Sequence, residues 1–251
     1  MDTEILLKNR IRELAEKSYQ QSVYMHTFFL TLSEQSLYYT IEREIFYAHG
    51  TFSGGYEDAE RKVLMFGSEE LFGYTGDFPI SCLRIQSLAP KFSEVLTHRD
   101  YLGAILNLGI ERECIGDILV ENSGAYVFCM DNMLEFLQQN ITKIKHTLVN
   151  ATRVEPDEIC IQQKRKPIEG FLASFRLDTV ISLGFGMSRK ESITFIKNKR
   201  VFVNGRLTET AGKTVSEGDI ISVRGKGKIK FEKVRGQSKK GRFSVLLYQY
   251  I

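Results

Sequence analysis

Residues 175–205 read FRLDTVISLGFGMSRKESITFIKNKRVFVNG, and this stretch decides the fold of the last third of the chain. Leu177, Val180 and Ile181 recur at the spacing of one helical face, and Gly184 is expected to end the helix after them. The pattern predicts a short helix that buries a single apolar stripe.

A second helix and a small sheet are predicted to follow. Ser188 and Glu191 form a capping-box pattern, so the second helix should begin there and reach about Lys199. Strand and turn signals then alternate, at Val201-Phe202-Val203, Asn204-Gly205, Gly218-Asp219 and Ile220-Ile221-Ser222-Val223-Arg224. Two short helices followed by a small sheet make a compact α+β unit.

Charge is distributed unevenly along the chain. Residues 171–251 contain 17 of the 34 Lys and Arg residues but only 6 of the 31 Asp and Glu residues, a net charge of +11. Residues 1–170 therefore hold 17 basic and 25 acidic residues, a net charge of −8. This asymmetry favours a polyanionic partner for the basic part alone. A solvated charged surface is the alternative, and composition does not separate the two.

The order of the basic residues favours nucleic acid. Arg189 and Lys190 fall in the first turn of the second helix, where unpaired N–H groups and the helix dipole favour an anion. Lys197 lies seven residues after Lys190 and shares its face. Further basic residues border the strands, at Lys199, Arg200, Arg206, Arg224, Lys226, Lys228 and Lys230. Such a grouping suits the phosphate backbone of structured RNA. Protein side chains cannot reach into the deep major groove of an RNA helix, so they contact its backbone instead.

Residues 171 to about 230 resemble the S-four RNA-binding domain, which is named after a small-subunit ribosomal protein. The resemblance is carried by Arg176-Leu177-Asp178, Ser188-Arg189-Lys190-Glu191, Ile196, Val201-Phe202-Val203-Asn204-Gly205, Gly218-Asp219-Ile220-Ile221-Ser222-Val223 and Arg224-Gly225-Lys226-Gly227. It implies RNA contacts through Arg176, Ser188, Arg189, Lys190, Asn204 and Arg206. With the basic residues above, the predicted RNA-binding set is Arg176, Ser188, Arg189, Lys190, Lys197, Lys199, Arg200, Asn204, Arg206, Arg224 and Lys226.

Arg176 and Arg189 have an alternative role, which is a surface ion pair with Asp178 or Glu191. Exposed pairs contribute at most about 1 kcal/mol to stability. If the arginines bind RNA instead, replacing each by alanine should leave folding nearly intact and weaken ribosome binding.

Residues 77–165 are predicted to form a ferredoxin-like domain. Strand-like runs and helical stripes alternate as strand, helix, strand, strand, helix, strand, beginning at residues 80–88 and ending at residues 144–154. RNA-recognition motifs share this βαββαβ plan, but residues 77–165 lack an aromatic RNA-binding signature of the usual kind. The polar, basic stretch 162–170, with its Pro and Gly, is expected to be an exposed linker to an S-four domain at 171–251.

Residues 1–76 are predicted to form an N-terminal helical and strand domain. Ile5, Leu6, Ile11, Leu14 and Ala15 recur at helical spacing, with Thr3 as the cap. A second helix is expected after Ser33, and a strand at Val63-Leu64-Met65-Phe66. Gly54-Gly55 indicates a sharp bend or a close backbone contact, for which packing is the favoured explanation.

Three catalytic motifs can be rejected. His98-Arg99-Asp100 lacks the Asn of a kinase catalytic loop, Arg176-Leu177-Asp178 has no pseudouridine synthase domain after it, and the glycines from Gly184 to Arg189 lack a dinucleotide-binding pattern. The scattered Cys82, Cys114, Cys129 and Cys160 indicate buried reduced thiols, with neither a metal site nor disulfides expected. The start Met1-Asp2-Thr3-Glu4 lacks a secretory signal, and no apolar run is long enough for a membrane span. No catalytic residue, cofactor or small-molecule substrate is therefore expected.

Nearly the whole chain resembles the YlmH family of bacterial RNA-binding proteins. The matching residues are Gly54-Gly55-Tyr56, Ala59-Glu60-Arg61, His98-Arg99-Asp100-Tyr101-Leu102-Gly103-Ala104, Asn107-Leu108-Gly109-Ile110, Arg112 and Ile115-Gly116-Asp117-Ile118. The resemblance implies a non-enzymatic cytoplasmic protein, linked by family name to cell division. It also implies binding to rRNA on the large ribosomal subunit carrying peptidyl-tRNA, in ribosome rescue and quality control, with direct contact to tRNA left open. Two alternatives remain at this point: an RNA-modifying, pseudouridine synthase-like enzyme, and a protein-interaction adaptor in cell division.

Overall fold

The computed structural model describes residues 3–155, 158 and 165–250, and the chain divides into two compact units, Met1–Cys160 and Ile161–Ile251. Both units mix helices and strands, as the sequence predicts. The N-terminal and central segments fall together in the first unit, and the basic segment makes up the second.

The N-terminal segment packs helices against a three-stranded antiparallel sheet. Its elements are α1 (Thr3–Gln21), β1 (Met25–Leu30), α2 (Leu32–Ile41), β2 (Gly50–Ser53), β3 (Lys62–Phe66) and α3 (Glu69–Phe72), with sheet order β1-β3-β2. Ile11, Leu14 and Ala15 are buried in its core, as predicted, but Ile5 and Leu6 are about half exposed. The first turn of α1 therefore extends beyond the core. The cap of α2 is Thr31, whose hydroxyl and backbone N–H bind the Glu34 carboxylate.

The central segment has the predicted ferredoxin-like plan. It contains β4 (Ile80–Ser87), α4 (His98–Leu106), β5 (Ile115–Glu121), β6 (Gly124–Met130), α5 (Leu134–Asn140), β7 (Lys143–Ile144) and β8 (Thr147–Val154). Its five strands run in the order β5-β6-β4-β8-β7, with every neighbouring pair antiparallel. The one deviation is at the end, where the predicted strand 144–154 is broken by Lys145 with φ 51° into a short hairpin.

The C-terminal unit packs two helices on a six-stranded antiparallel sheet. The elements are β9 (Arg165–Leu172), α6 (Leu177–Phe185), α7 (Arg189–Lys197), β10 (Val201–Val203), β11 (Arg206–Leu207), β12 (Ile220–Val223), β13 (Gly227–Gln237) and β14 (Phe243–Tyr250). The sheet order is β11-β10-β12-β13-β14-β9. Its core contains the predicted stripe of Leu177, Val180 and Ile181, packed with Ile196 and Phe231.

Two sequence expectations for this unit are wrong. Residues 165–170 are not a linker but part of the edge strand β9, paired with β14 along its length, while residues 162–164 lie outside the described part of the chain. An edge strand tolerates Pro167 because one side of its backbone needs no ladder partner. The first helix does not stop at Gly184 but continues to Phe185, and Gly186 with φ 62° ends it. Gly184 serves packing, since a Cβ there would lie 2.4 Å from Ile229 Cδ1.

Candidate RNA-binding surface

A buried carboxylate joins the two arginines that open α6 and α7. Arg176 Nε donates to Asp178 Oδ1 at 3.0 Å, and Arg189 Nε donates to Asp178 Oδ2 at 2.6 Å. The Asp178 side chain has no exposed surface, whereas those of Arg176 and Arg189 are 43% and 56% exposed. The three residues, here called the Asp178 cluster, therefore hold two half-exposed guanidinium groups beside each other.

Backbone contacts fix the first of these arginines. Arg176 is the N-cap residue of α6 and forms an isolated β-bridge with Thr214. Its guanidinium lies over Gly212, where a Cβ would be 3.2 Å from Arg176 Nη1. The next residue, Leu177, donates its N–H to the Lys213 carbonyl at 2.8 Å. The loop before β12 thus sets the position of Arg176.

The charge state of Asp178 follows from two opposing effects. Burial alone would raise the pKa of the Asp178 carboxyl, but the hydrogen bonds from Arg176 and Arg189 outweigh burial and hold that pKa below its ordinary value. Asp178 is therefore ionised at neutral pH. The Asp178 cluster has a net charge of +1, concentrated where both helices begin.

Ser188 caps the start of α7, as the sequence predicts, but the Glu191 carboxylate of the predicted capping box lies near a lysine of another turn. The Ser188 hydroxyl accepts the Glu191 N–H at 3.1 Å, which caps the helix. The Glu191 carboxylate lies 3.5 Å from Lys226 Nζ and so connects this helix start to the β12–β13 turn. Lys190 and Lys197 are exposed, and among the described residues neither has an ion pair.

A second group of cations surrounds Phe195, a residue that the sequence analysis did not select. The Arg200 guanidinium lies 4.9 Å from the Phe195 ring centroid, and Lys226 Nζ lies 5.6 Å from it. Arg200 Nη2 also donates to the Arg224 carbonyl at 2.8 Å. Arg200 therefore supports the turn that carries Arg224 and Lys226. An aromatic ring two positions before a basic Lys-x-Lys-Arg run was the available signal.

Asn204 and Arg206 lie at the other end of β10, whereas Lys199 precedes that strand. Asn204 has φ 50°, its amide nitrogen donates to Asp219 Oδ1 at 2.8 Å, and its amide oxygen accepts the Ile220 N–H at 2.9 Å. Asn204 thereby fixes the turn instead of presenting an unused amide. Arg206 is exposed in β11 and has interactions of its own, and Lys199 Nζ lies 3.8 Å from Glu209.

In the first unit, the motif residues of the N-terminal and central segments meet at Asp117. Its carboxylate accepts hydrogen bonds from the Tyr56 hydroxyl at 2.7 Å and from the backbone N–H groups of Glu60 at 2.7 Å and Arg61 at 3.1 Å. The Arg61 side chain donates to the carbonyls of Phe29 and Ile115. Burial, followed by the Asp117 charge, raises the pKa of Tyr56, so its hydroxyl stays protonated.

The glycine pair in this region serves packing. A Cβ on Gly54 would lie 2.3 Å from Ala59 Cβ, and one on Gly55 would lie 2.6 Å from a ring carbon of Phe128. Gly55 also has φ 88°, a conformation that favours glycine. The packing interpretation of this motif is therefore confirmed.

The surroundings of Asp100, Cys82 and Cys129 account for the state of each of these side chains. Asp100 caps α4 by accepting from Thr97 and pairs with Lys145 at 2.8 Å. Burial raises the pKa of Cys82 and Cys129 to about 12, so both remain thiols. Cys160 lies outside the described residues. Within residues 3–155, 158 and 165–250, no group of three or more His, Cys, Asp or Glu side chains is arranged to hold a metal ion. In the same part of the chain, no helix is long and apolar enough to cross a membrane.

A known family model matches part of each unit. Residues 74–158 match the family model described as "Putative RNA-binding domain in YlmH", and residues 175–221 match the "S4 domain" model. The chain is 30% identical over 195 residues to the "Ribosome-associated protein quality control protein P2" of Bacillus subtilis, covering 77% of this chain and 75% of that protein.

Two further similarities are more restricted. Over 58 residues the chain is 43% identical to "Small ribosomal subunit protein uS4" of Teredinibacter turnerae, covering 23% of this chain and 28% of that protein. The solved structure of "Cell division protein ylmH from Streptococcus pneumoniae" superposes with a TM-score of 0.51 at 24% identity, over 63% of this chain and 96% of that one. At that identity the superposition shows a shared fold.

Proposed function

This chain belongs to the YlmH family, and from that premise we propose that it binds structured ribosomal RNA through the helix starts of its C-terminal unit. The observation that carries the proposal is the Asp178 cluster, in which Arg176 and Arg189 are fixed side by side and half exposed. Exposed Lys190 follows within the same first turn of α7, where the helix terminus itself favours phosphate. Charge-assisted contacts from such fixed guanidinium groups are among the strong contacts to phosphate.

We propose the finer assignment by analogy with the family. The Bacillus subtilis relative is a ribosome-associated quality control protein. We propose the same setting for this chain: a cytoplasmic protein that acts on the large ribosomal subunit carrying peptidyl-tRNA, in rescue and quality control. The predicted RNA-binding set supports this proposal because it supplies a positively charged surface for rRNA. We propose tRNA as a second RNA partner.

The proposed role is non-enzymatic. An RNA-modifying enzyme needs a positioned nucleophile, base or cofactor loop. The candidate motif His98-Arg99-Asp100 is instead used to begin α4, and the carboxylate of Arg176-Leu177-Asp178 is buried between two arginines. Binding, without a chemical step, accounts for the use of these side chains.

Co-sedimentation with ribosomal subunits in a sucrose gradient tests the proposal. The variant Lys190→Ala, Lys197→Ala removes two exposed charges that make no internal ion pair among the described residues. We expect it to weaken binding to the large subunit. The negative slope of log K against log salt should become shallower by roughly one unit for each lost phosphate contact. The wild-type slope should be roughly −4 to −7 for five to eight phosphate contacts.

The matched control removes the same charge from the same unit. Lys239 and Lys240 are exposed between β13 and β14 and lie outside the predicted set. Lys239→Ala, Lys240→Ala should bind as the wild type does. Equal losses in both variants would indicate a nonspecific effect of charge. Migration with division proteins alone would favour the adaptor, and an rRNA modification restored by the purified protein would favour the enzyme.

A further inference from the structure

A cavity of about 500 Å³ lies in the first unit, between the N-terminal segment and the central sheet. Its volume is within the roughly 300–1,000 Å³ typical of small-ligand sites. We call it the Tyr56 cavity. Its aromatic wall consists of Phe52, Tyr56 and Phe78, all half-buried, and its cationic wall contains Lys62.

The aromatic wall is rigid before any ligand arrives. The Tyr56 ring stacks on Phe128 with centroids 4.9 Å apart and an interplanar angle of 28°. Its hydroxyl is held by Asp117 at 2.7 Å. The preceding Gly55 packs so closely against Phe128 that there is no room for a Cβ at this position. A ring held on one face and at its hydroxyl provides a preformed surface, so a ligand loses little entropy in ordering it.

Phe128 and Tyr126 lie on the strand that contacts RNA in related folds. Tyr126 and Phe128 lie two residues apart on β6, the third strand of the ferredoxin-like plan, and pair with Arg84 and Cys82 on the same face. In RNA-recognition motifs, aromatic residues on this sheet stack unpaired bases. Here both positions are filled from within the chain, because Tyr56 covers Phe128 and the Arg84 guanidinium lies 4.3 Å from the Tyr126 ring centroid. A base would therefore have to bind beside this face, where the Tyr56 cavity lies.

The lining of the Tyr56 cavity carries both signs of charge, from Lys62, Arg153 and Glu57. Lys62 is half-buried and, among the described residues, has no carboxylate within ion-pair distance. Arg153 also lines the cavity but is paired with Glu155 at 2.8 Å. Glu57 lies on the lining as an acceptor for the amino or imino group of a base. A cation, an aromatic wall and an acceptor together match the three parts of a nucleotide that proteins recognise.

We propose that the Tyr56 cavity binds one unpaired nucleotide of an RNA strand, with the base against Tyr56 and Phe78 and the phosphate near Lys62. The proposal rests on the RNA-binding function proposed above and adds a second RNA site in the first unit. The shared chemistry is that of a ribonucleotide, whether free or in a strand. An unpaired nucleotide in RNA is favoured because half of the cavity lining, including Phe78 and Phe128, lies in residues 74–158, which match an RNA-binding family model.

Fluorescence anisotropy with the full-length protein tests this site. The probes are a labelled single-stranded octaribonucleotide and a labelled RNA hairpin with a closed loop and blunt end. Val154→Trp fills the cavity from β8, and Lys62→Gln removes its charge. Each is expected to weaken octanucleotide binding by about tenfold while hairpin binding stays unchanged. The controls Val95→Trp and Lys91→Gln change exposed positions of the same unit and should bind both probes as the wild type does.

The outcomes separate this site from the S-four surface. Wild-type octanucleotide affinity in Lys62→Gln and in a Val154→Trp protein with a normal thermal melt would overturn the cavity proposal. The proposed function would stand if Lys190→Ala, Lys197→Ala still lost ribosome binding. A thermal shift with 5′-AMP that depends on the open cavity, without competition by the octanucleotide, would assign the site to a free nucleotide and also overturn it.

Discussion

Removing both arginines of the Asp178 cluster is expected to destabilise the C-terminal unit as well as to weaken RNA binding. In the variant Arg176→Ala, Arg189→Ala, the Asp178 carboxylate loses its hydrogen bonds at 3.0, 3.4 and 2.6 Å. Asp178 has no exposed surface while both arginines are in place, so the carboxylate loses its charged partners and only water entering the space they leave can replace them. The ion pair with Asp178, which the sequence offers as the alternative role of these arginines, is present, but its carboxylate is buried, so it should contribute more than a surface pair.

The magnitude follows from the burial of Asp178. Removing the partner of a buried charge costs about 3–5 kcal/mol. We expect the lower end, about 3 kcal/mol, because both guanidinium groups are half exposed and partly hydrated. A single Arg→Ala leaves one partner in place and should cost about 1–3 kcal/mol. In a unit of this size, each kcal/mol lowers the melting midpoint by roughly 4–8 °C, so the double variant should melt at least about 10 °C lower.

Thermal denaturation of the full chain measures the effect, and hydrogen exchange in residues 175–197 assigns it to this unit. The matched control is the triple variant Arg176→Ala, Asp178→Asn, Arg189→Ala, in which a neutral amide replaces the stranded carboxylate. The triple variant should recover much of the lost stability without recovering RNA binding. A double variant that melts as the wild type does, or a triple variant no more stable than the double, would refute the reasoning.

The pH dependence of stability provides an independent check on the contribution of the Asp178 cluster. Burial would raise the pKa of Asp178, but Arg176 and Arg189 hold it below its ordinary value. The cluster therefore contributes stability above the unfolded carboxyl pKa, near 3.9, and this contribution is lost as pH falls through the lower folded pKa. Without the arginines, burial alone raises the pKa of Asp178. The double variant should then gain stability relative to the wild type as pH falls from 7 to 4.

Three further predictions concern single residues. Asp117→Ala removes three hydrogen bonds that join the N-terminal and central segments, and should lower the free energy of unfolding of the first unit by about 3 kcal/mol; an unchanged urea midpoint would contradict the role given to Asp117. Asn204→Ala should lower the free energy of unfolding by about 1–2 kcal/mol, because it loses two hydrogen bonds and places alanine at φ 50°. An unchanged melting temperature would contradict this role of Asn204. The hydrogen bond from Lys145, with those from Thr97, lowers the pKa of Asp100 to about 2; an NMR titration should find this value and a higher one in Lys145→Gln.

The sequence predicts local structure well where a pattern and its cause lie close together. The stripe of Leu177, Val180 and Ile181 specifies α6, and the turn signal of Asn204-Gly205 agrees with the positive φ of both residues. The strand β9 is different, because it begins within the polar and basic stretch 162–170 and becomes a strand by pairing with β14, more than 70 positions later in the chain. Composition indicates a linker there, since an edge strand with one buried face carries few apolar residues.

For the candidate site, the sequence identifies which residues are charged but not which charges are already used. Arg200 is bound to the Arg224 carbonyl, and Asn204 is bound to Asp219 and Ile220. These partners lie 15 to 24 positions away, so no local pattern reveals them. Among the predicted set, Lys190, Lys197 and Arg224 are the residues whose charges the described part of the structure leaves for an external anion.

The burial of Asp178 explains how two arginines can stand together before RNA is bound. Two guanidinium groups held beside each other at the starts of α6 and α7 repel each other, and separately they would sample many rotamers. One ionised carboxylate beneath them offsets the repulsion and fixes both Nε atoms, at 3.0 and 2.6 Å. RNA binding then does not have to order these side chains, and the entropy of ordering them is already lost on folding. The same carboxylate that lowers the net charge of the cluster thus improves its geometry for phosphate, so a site predicted from basic residues alone omits an acidic residue on which it depends.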